Sequence, residues 1–171
     1  MNTTTLLKNF DDTFNIFLQM LAAFPQERIN TVPFEGSWTG AQVARHLLKG
    51  SAADLVYGNV KPGERQPDLH EQELRELFLN FDVKFQSPDM IVPEDIYYDK
   101  NELISGLESS VTRIRRAIQT LDLTEICLDF EMPTKGFLTR WEWISFYTVH
   151  TQRHTRQLQN IFKTVMGQTF A

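Results

Sequence analysis

TRWEWISFYTVHTQRHTRQLQNIFKTVM, residues 139 to 166, decides how the rest of the chain is read. Thr139 and Glu142 stand as T-x-x-E, a capping box in which each side chain bonds a free backbone N–H of the first helical turn. Trp143, Phe146, Tyr147, His150, His154, Leu158, Ile161 and Val165 then recur every three or four residues. That spacing predicts one long amphipathic helix with these residues along a single stripe. Two histidines therefore sit one turn apart on the face that should be buried. Side chains on adjacent turns are close enough for both imidazoles to reach one metal ion.

The same periodicity organises the chain on either side. Leu6, Leu7, Phe10, Phe14, Phe17, Leu18, Leu21 and Phe24 predict a first helix over 3–24, ended by Pro25. Residues 25–38 form a connection punctuated by Pro33 and Gly36, in which Phe34 and Trp38 either cover the bundle end or face a ligand. Thr39 and Gln42 make a second capping box, and a helix is expected over 39–58 with Val43, His46, Leu47, Gly50 and Tyr57 near one face. His46 points inward on that reading. A loop follows over 59–67, then a shorter helix over about 68–81 capped by Asp68, with His70 exposed in its first turn. A second loop spans 86–98. Leu103, Leu107, Val111, Ile114, Ile118 and Leu121 then give a bundle helix over about 100–121, capped by Asp99. Residues 126–132 alternate apolar and polar, which suggests a small strand or an ordered loop closed by Pro133 and Gly136.

Four long amphipathic helices, a shorter one and long connections argue an all-α architecture, a four-helix bundle. The 171 residues suit one domain with room for a core. A net charge of −5 with no long basic run argues against a nucleic-acid or anionic-membrane surface. Arg113, Arg115 and Arg116 read as the solvated C-terminal half of a helix. No apolar run approaches the ~18 residues of a membrane span. The apolar residues near the N-terminus are interrupted by Lys8, Asp11 and Asp12 and keep helical spacing, unlike a signal peptide. Cys127 is the single cysteine, so no internal disulfide forms and a reducing, cytoplasmic setting is expected.

Three of the four histidines thus fall on inward faces. One reading makes them core residues, each satisfied by a hydrogen bond. The other makes them metal ligands, because two imidazoles buried side by side are costly unless something pairs with them. His46 is then the third ligand by elimination, and three histidines with an open position is a known catalytic zinc arrangement. Other metal motifs fail. Thr151 stands where a zinc metallopeptidase helix needs its glutamate. Val43, Pro67, Tyr147 and Thr151 stand where a di-iron bundle needs Glu-x-x-His. There is no phosphate-binding glycine loop and no G-x-S-x-G elbow.

Two stretches, GSWTGAQVARHLLKG at 36–50 and GFLTRWEWISFYTVHTQRHTRQL at 136–158, resemble the DinB-like superfamily, which includes YfiT-type proteins and bacillithiol transferases. Their order and separation agree with that family over almost the whole chain. The resemblance implies a four-helix bundle with a three-histidine metal site, often zinc or nickel, and a frequent homodimer. By motif position His46, His150 and His154 carry over as the ligands. Characterised relatives are thiol transferases using low-molecular-weight thiols such as bacillithiol or mycothiol, and some are isomerases or hydrolases. The implied activity is a metal-dependent transferase acting on a small electrophile; the alternative is a non-catalytic metal- or ligand-binding bundle. Tyr57 and Tyr147 are the polar aromatics best placed to orient a substrate. Asp54 or Glu131 could close the open ligand position.

Overall fold

The computed structural model describes residues 2–168 and 170. Four helices carry the fold. They are α1 (Thr3–Ala23), α3 (Gly40–Lys49), α6 (Lys100–Thr120) and α7 (Arg140–Met166). Each of α1 and α3 packs on both α6 and α7, so the four close into a bundle. Phe10, Phe14 and Phe17 of α1 are fully buried, with Leu107 and Ile114 of α6 and Leu158 of α7 in the same core. The helical period of these apolar residues is what lets each helix bury one stripe.

All four starts are written locally, that of α1 by Asn2, whose Oδ1 accepts from Thr5 N at 3.1 Å. Thr39 Oγ1 accepts from Gln42 N at 3.1 Å while Gln42 Oε1 accepts from Thr39 N at 2.9 Å. Thr139 and Glu142 repeat the reciprocal pair at 3.1 and 2.9 Å. The Asp99 carboxylate accepts from Asn101 N and Glu102 N at the head of α6.

Two expectations change. The helix expected over 39–58 is two helices, α3 and α4 (Ala53–Tyr57). The break falls at Gly50–Ser51, where the Ser51 hydroxyl accepts from Ala53 N at 3.2 Å and offers the backbone a capped turn in place of the helical bond. The shorter helix begins at Glu71, not near Asp68, and α5 spans Glu71–Leu79. Its start is tied to α7: the Glu142 carboxylate accepts from the N–H of His70, the residue before the helix, at 2.9 Å, and the Glu71 carboxylate accepts from Trp141 Nε1 and Ser145 Oγ. A tie supplied across the fold leaves no local sequence signal. A one-turn helix, α2 (Gln26–Ile29), and a 3-10 turn at Asp89–Ile91 interrupt the long connections.

The all-α expectation holds for the bundle but not for the whole chain. A three-stranded antiparallel sheet of β1 (Val60–Lys61), β2 (Ile126–Met132) and β3 (Gly136–Thr139) lies in that order beside α4 and α7. Val60 faces Cys127, Met132 faces Gly136, and Ile126 faces Thr139. The β2–β3 turn carries left-handed backbone at Thr134 and Gly136, and β3 runs straight into the capped start of α7. Below it, Arg65 forks onto both oxygens of the buried Glu142, at 2.8 and 2.6 Å, tying the loop before α5 to the same helix start.

Candidate metal centre

His46 leaves α3 in its last turn, and His150 and His154 leave adjacent turns of α7. All three are buried. Their Nε2 atoms converge: His150 Nε2 lies 3.2 Å from His46 Nε2 and 3.0 Å from His154 Nε2. Among the described residues this is the one group of three such side chains whose ligand atoms all lie within 4.8 Å of one another.

The other ring nitrogens decide what these atoms can offer. His46 Nδ1 is 2.9 Å from the Ile91 carbonyl, and His154 Nδ1 is 2.8 Å from Gln157 Oε1. An oxygen of either kind only accepts, so both Nδ1 atoms carry the proton and both Nε2 atoms present lone pairs. His150 has one ring proton to place. On Nε2 it satisfies one neighbour and leaves the other lone pair opposed; on Nδ1 it leaves three lone pairs facing each other. The buried His150 Nδ1 has no hydrogen-bond partner in either case. A cation between the three Nε2 atoms removes the conflict. Ligand nitrogens around a tetrahedral zinc with bonds of ~2.0–2.1 Å stand ~3.3–3.4 Å apart, close to the spacing here.

Electrostatics supports neutral ligands. Burial lowers the protonation of all three imidazoles. It brings His154 to about 3, with His46 adding repulsion, and His150 well below the ordinary value of 6.5, with repulsion from His154 and His46. Aromatic rings wall the site. Trp38 lies 4.9 Å from the His46 ring, Phe146 stacks on His150 at 5.4 Å, and Phe78 meets His150 edge-on at 5.9 Å. Phe34, the other aromatic of that connection, is exposed. Arg153 donates to the carbonyls of Phe78, Asn80 and Val83, holding the end of α5 and the loop after it against α7.

The structure thus brings His46, His150 and His154 together. His70 stands apart at the start of α5. Tyr147 is fully buried and its hydroxyl donates to the Leu47 carbonyl. Tyr57 lies on α4, not on the His46 helix, and its hydroxyl donates to the Arg113 carbonyl. Both hydroxyls offered for substrate contact are therefore engaged with the backbone. Asp54 pairs with Arg113 at 2.7 Å, Glu131 is exposed on β2, and neither joins the histidines. Sequence reasoning missed Gln157 and Ile91. Gln157 was within reach as the residue three after His154, whereas a loop carbonyl carries no signal. An open groove of about 490 Å³ between α1 and α7, lined by Asn9, Thr13, Arg75, Gln152 and Arg156, lies away from the histidines.

Fold and site define a helical bundle with a three-histidine group able to hold a divalent metal. The chain belongs to the DinB superfamily, whose model matches residues 9–158. Two solved structures share the fold. One is described as TT2238, a four-helix bundle protein, at 18% identity and a TM-score of 0.57, covering 93% of this chain and 99% of that one. The other is a conserved protein from Enterococcus faecalis, at 16% identity and a TM-score of 0.65, covering 98% and 99%. No curated protein matches the chain. Among the described residues no helix is long and apolar enough to cross a membrane.

Proposed function

We propose that His46, His150 and His154 hold a divalent metal, zinc or nickel, and that the protein is a transferase joining a low-molecular-weight thiol to an electrophilic small molecule. The observation that carries the reading is the convergence of three buried Nε2 atoms, two of them compelled to present lone pairs. A divalent ion held by these three histidines would supply a positive centre that favours a bound thiol as thiolate, the attacking species. The chain's own residues prepare the site. Burial keeps the imidazoles neutral, so no proton competes for the ligand atoms near neutral pH. The Ile91 carbonyl and the Gln157 side chain fix two rings in the ligating tautomer, as acceptors behind metal-bound histidines do. Trp38, Phe78 and Phe146 exclude water from the flanks. Three protein ligands with no carboxylate or cysteine beside them suit a centre that keeps a position for substrate.

Elemental analysis of untagged protein beside His150→Ala is the direct test. About one zinc or nickel per chain, lost in the variant, is the expected result. Consumption of a small thiol by the metal-loaded protein in the presence of a model electrophile then tests the transferase. Metal without thiol consumption, across a panel of small thiols, would instead identify a non-catalytic metal-binding bundle. No metal after incubation with zinc and nickel would end both readings.

A further inference from the structure

Among the described residues Tyr147 is the largest fully buried side chain, and its polar end is used in one place. The hydroxyl donates to the Leu47 carbonyl at 2.8 Å. That carbonyl is free for a local reason. Ser51 would be its helical partner, but α3 ends at Lys49 and Ser51 N turns to the Leu48 carbonyl at 3.4 Å. Gly50 N keeps the His46 carbonyl at 2.9 Å, so the Leu47 carbonyl is left for a donor from another helix. Tyr147 supplies it. The Ser51 and Ser110 hydroxyls bond each other, tying the turn after α3 to α6.

The position of this bond relates it to the histidines. Leu47 follows His46 directly, and Tyr147 lies one turn before His150. The separation of His150 and His154 is set by α7 itself. The separation of His46 from that pair depends on how α3 sits against α7. Apolar packing between the helices is non-directional, whereas the Tyr147–Leu47 bond has a length and an angle. The ring of His46 is aimed separately, by the Ile91 carbonyl from the loop side.

We propose that Tyr147 is a positioning residue for the three-histidine centre, its hydroxyl holding the Leu47 carbonyl and thereby the distance from His46 to His150 and His154. The inference rests on the metal-binding reading above, and gives Tyr147 a task other than substrate contact.

Tyr147→Phe is the test. Phenylalanine keeps the ring that packs 5.0 Å from Phe14 and removes only the hydroxyl, so the variant keeps its helical circular dichroism. Zinc affinity, measured by competition with a chromophoric chelator, falls by about 10-fold, the low end of what losing a group bonded to a ligand costs, because Tyr147 acts through the Leu47 backbone. The visible spectrum of the cobalt-substituted protein shifts, because the geometry at the ion changes. Ile114→Val removes a methyl from the same core without touching the hydroxyl network, and keeps wild-type affinity and spectrum. Replacing Tyr147 by 4-aminophenylalanine restores a donor and recovers affinity. Wild-type affinity and an unshifted cobalt spectrum in Tyr147→Phe would overturn the proposal, as would an equal loss in Ile114→Val. If the wild-type protein takes up neither zinc nor cobalt, the metal reading itself falls, and the two failures are told apart by that one sample.

Discussion

The metal-free protein should lose stability between pH 7.5 and pH 5.5, and the loss should come from the histidine cluster. In the unfolded chain each imidazole takes up a proton near pH 6.5. In the folded chain burial, and then repulsion from neighbouring rings, hold His154 at about 3 and His150 well below the ordinary value, with His46 lowered as well. Between the folded and unfolded values the unfolded state binds more protons, so acid favours unfolding. The stability is fully present above pH 6.5 and is lost as the pH falls towards the folded values. For one imidazole that stays neutral when folded, moving from pH 7.5 to 5.5 costs about 1.4 kcal/mol by linkage. His150 and His154 together therefore account for about 2.7 kcal/mol, and His46 adds to it. For a chain of this size that is a fall in Tm of about 5–10 °C. Urea unfolding in the presence of a chelator, at steps of half a pH unit, reads the loss directly. The window lies above the range where the carboxylates titrate. Saturating zinc should oppose the loss, adding about 2.7 kcal/mol at a hundred times its dissociation constant. Metal-free stability that stays flat from pH 7.5 to 5.5 would refute the reasoning. The folded cluster would then be holding a proton shared among its rings.

Other outcomes follow from single contacts. Gln157→Leu removes the acceptor behind His154 and should weaken zinc binding about 10- to 100-fold in chelator competition. Glu142→Gln leaves Arg65 without its buried anion and turns an amide N–H₂ towards donors, so a loss of about 3 kcal/mol and a Tm drop of about 6–12 °C are expected by calorimetry. Burial raises the Glu142 carboxyl, but Arg65 and the N–H groups of Thr139 and His70 outweigh it and hold it below 4.5. Its contribution is thus present above pH 4.5 and lost below, and the variant's urea stability should vary less with pH in that acid range. Asp99→Ala removes both bonds to the head of α6 and should cost about 1 kcal/mol, read as a Tm lower by about 2–4 °C.

Most of the bundle was legible. The Thr39–Gln42 and Thr139–Glu142 boxes and the Asp99 cap formed where their spacing put them, because each joins groups within one turn. The strand pattern at 126–132 formed as well, although its partners in β1 and β3 could not be read from alternation alone. What went unread were features completed by distant residues. The start of α5 is held by Glu142, which accepts from the N–H of His70, 72 positions away. The end of α3 at Gly50–Ser51 is stabilised by Ser110 and Tyr147, on two other helices. Tyr147 was placed on the correct stripe, but the partner of its hydroxyl was not on its own helix, and the same holds for Tyr57 and Arg113.

By itself the sequence determined the starts and caps of α3, α6 and α7, the apolar stripes of the bundle helices and the pairing of His150 with His154, since all of these rest on residues no more than four positions apart. The tertiary structure alone decided that His46 Nε2 comes to 3.2 Å from His150 Nε2, that Ile91 orients the His46 ring, and that the Tyr147 and Tyr57 hydroxyls bond to backbone. Those distances depend on how whole helices settle against one another. Helix packing sums many weak, non-directional contacts across the core, and no spacing within a single helix encodes that sum.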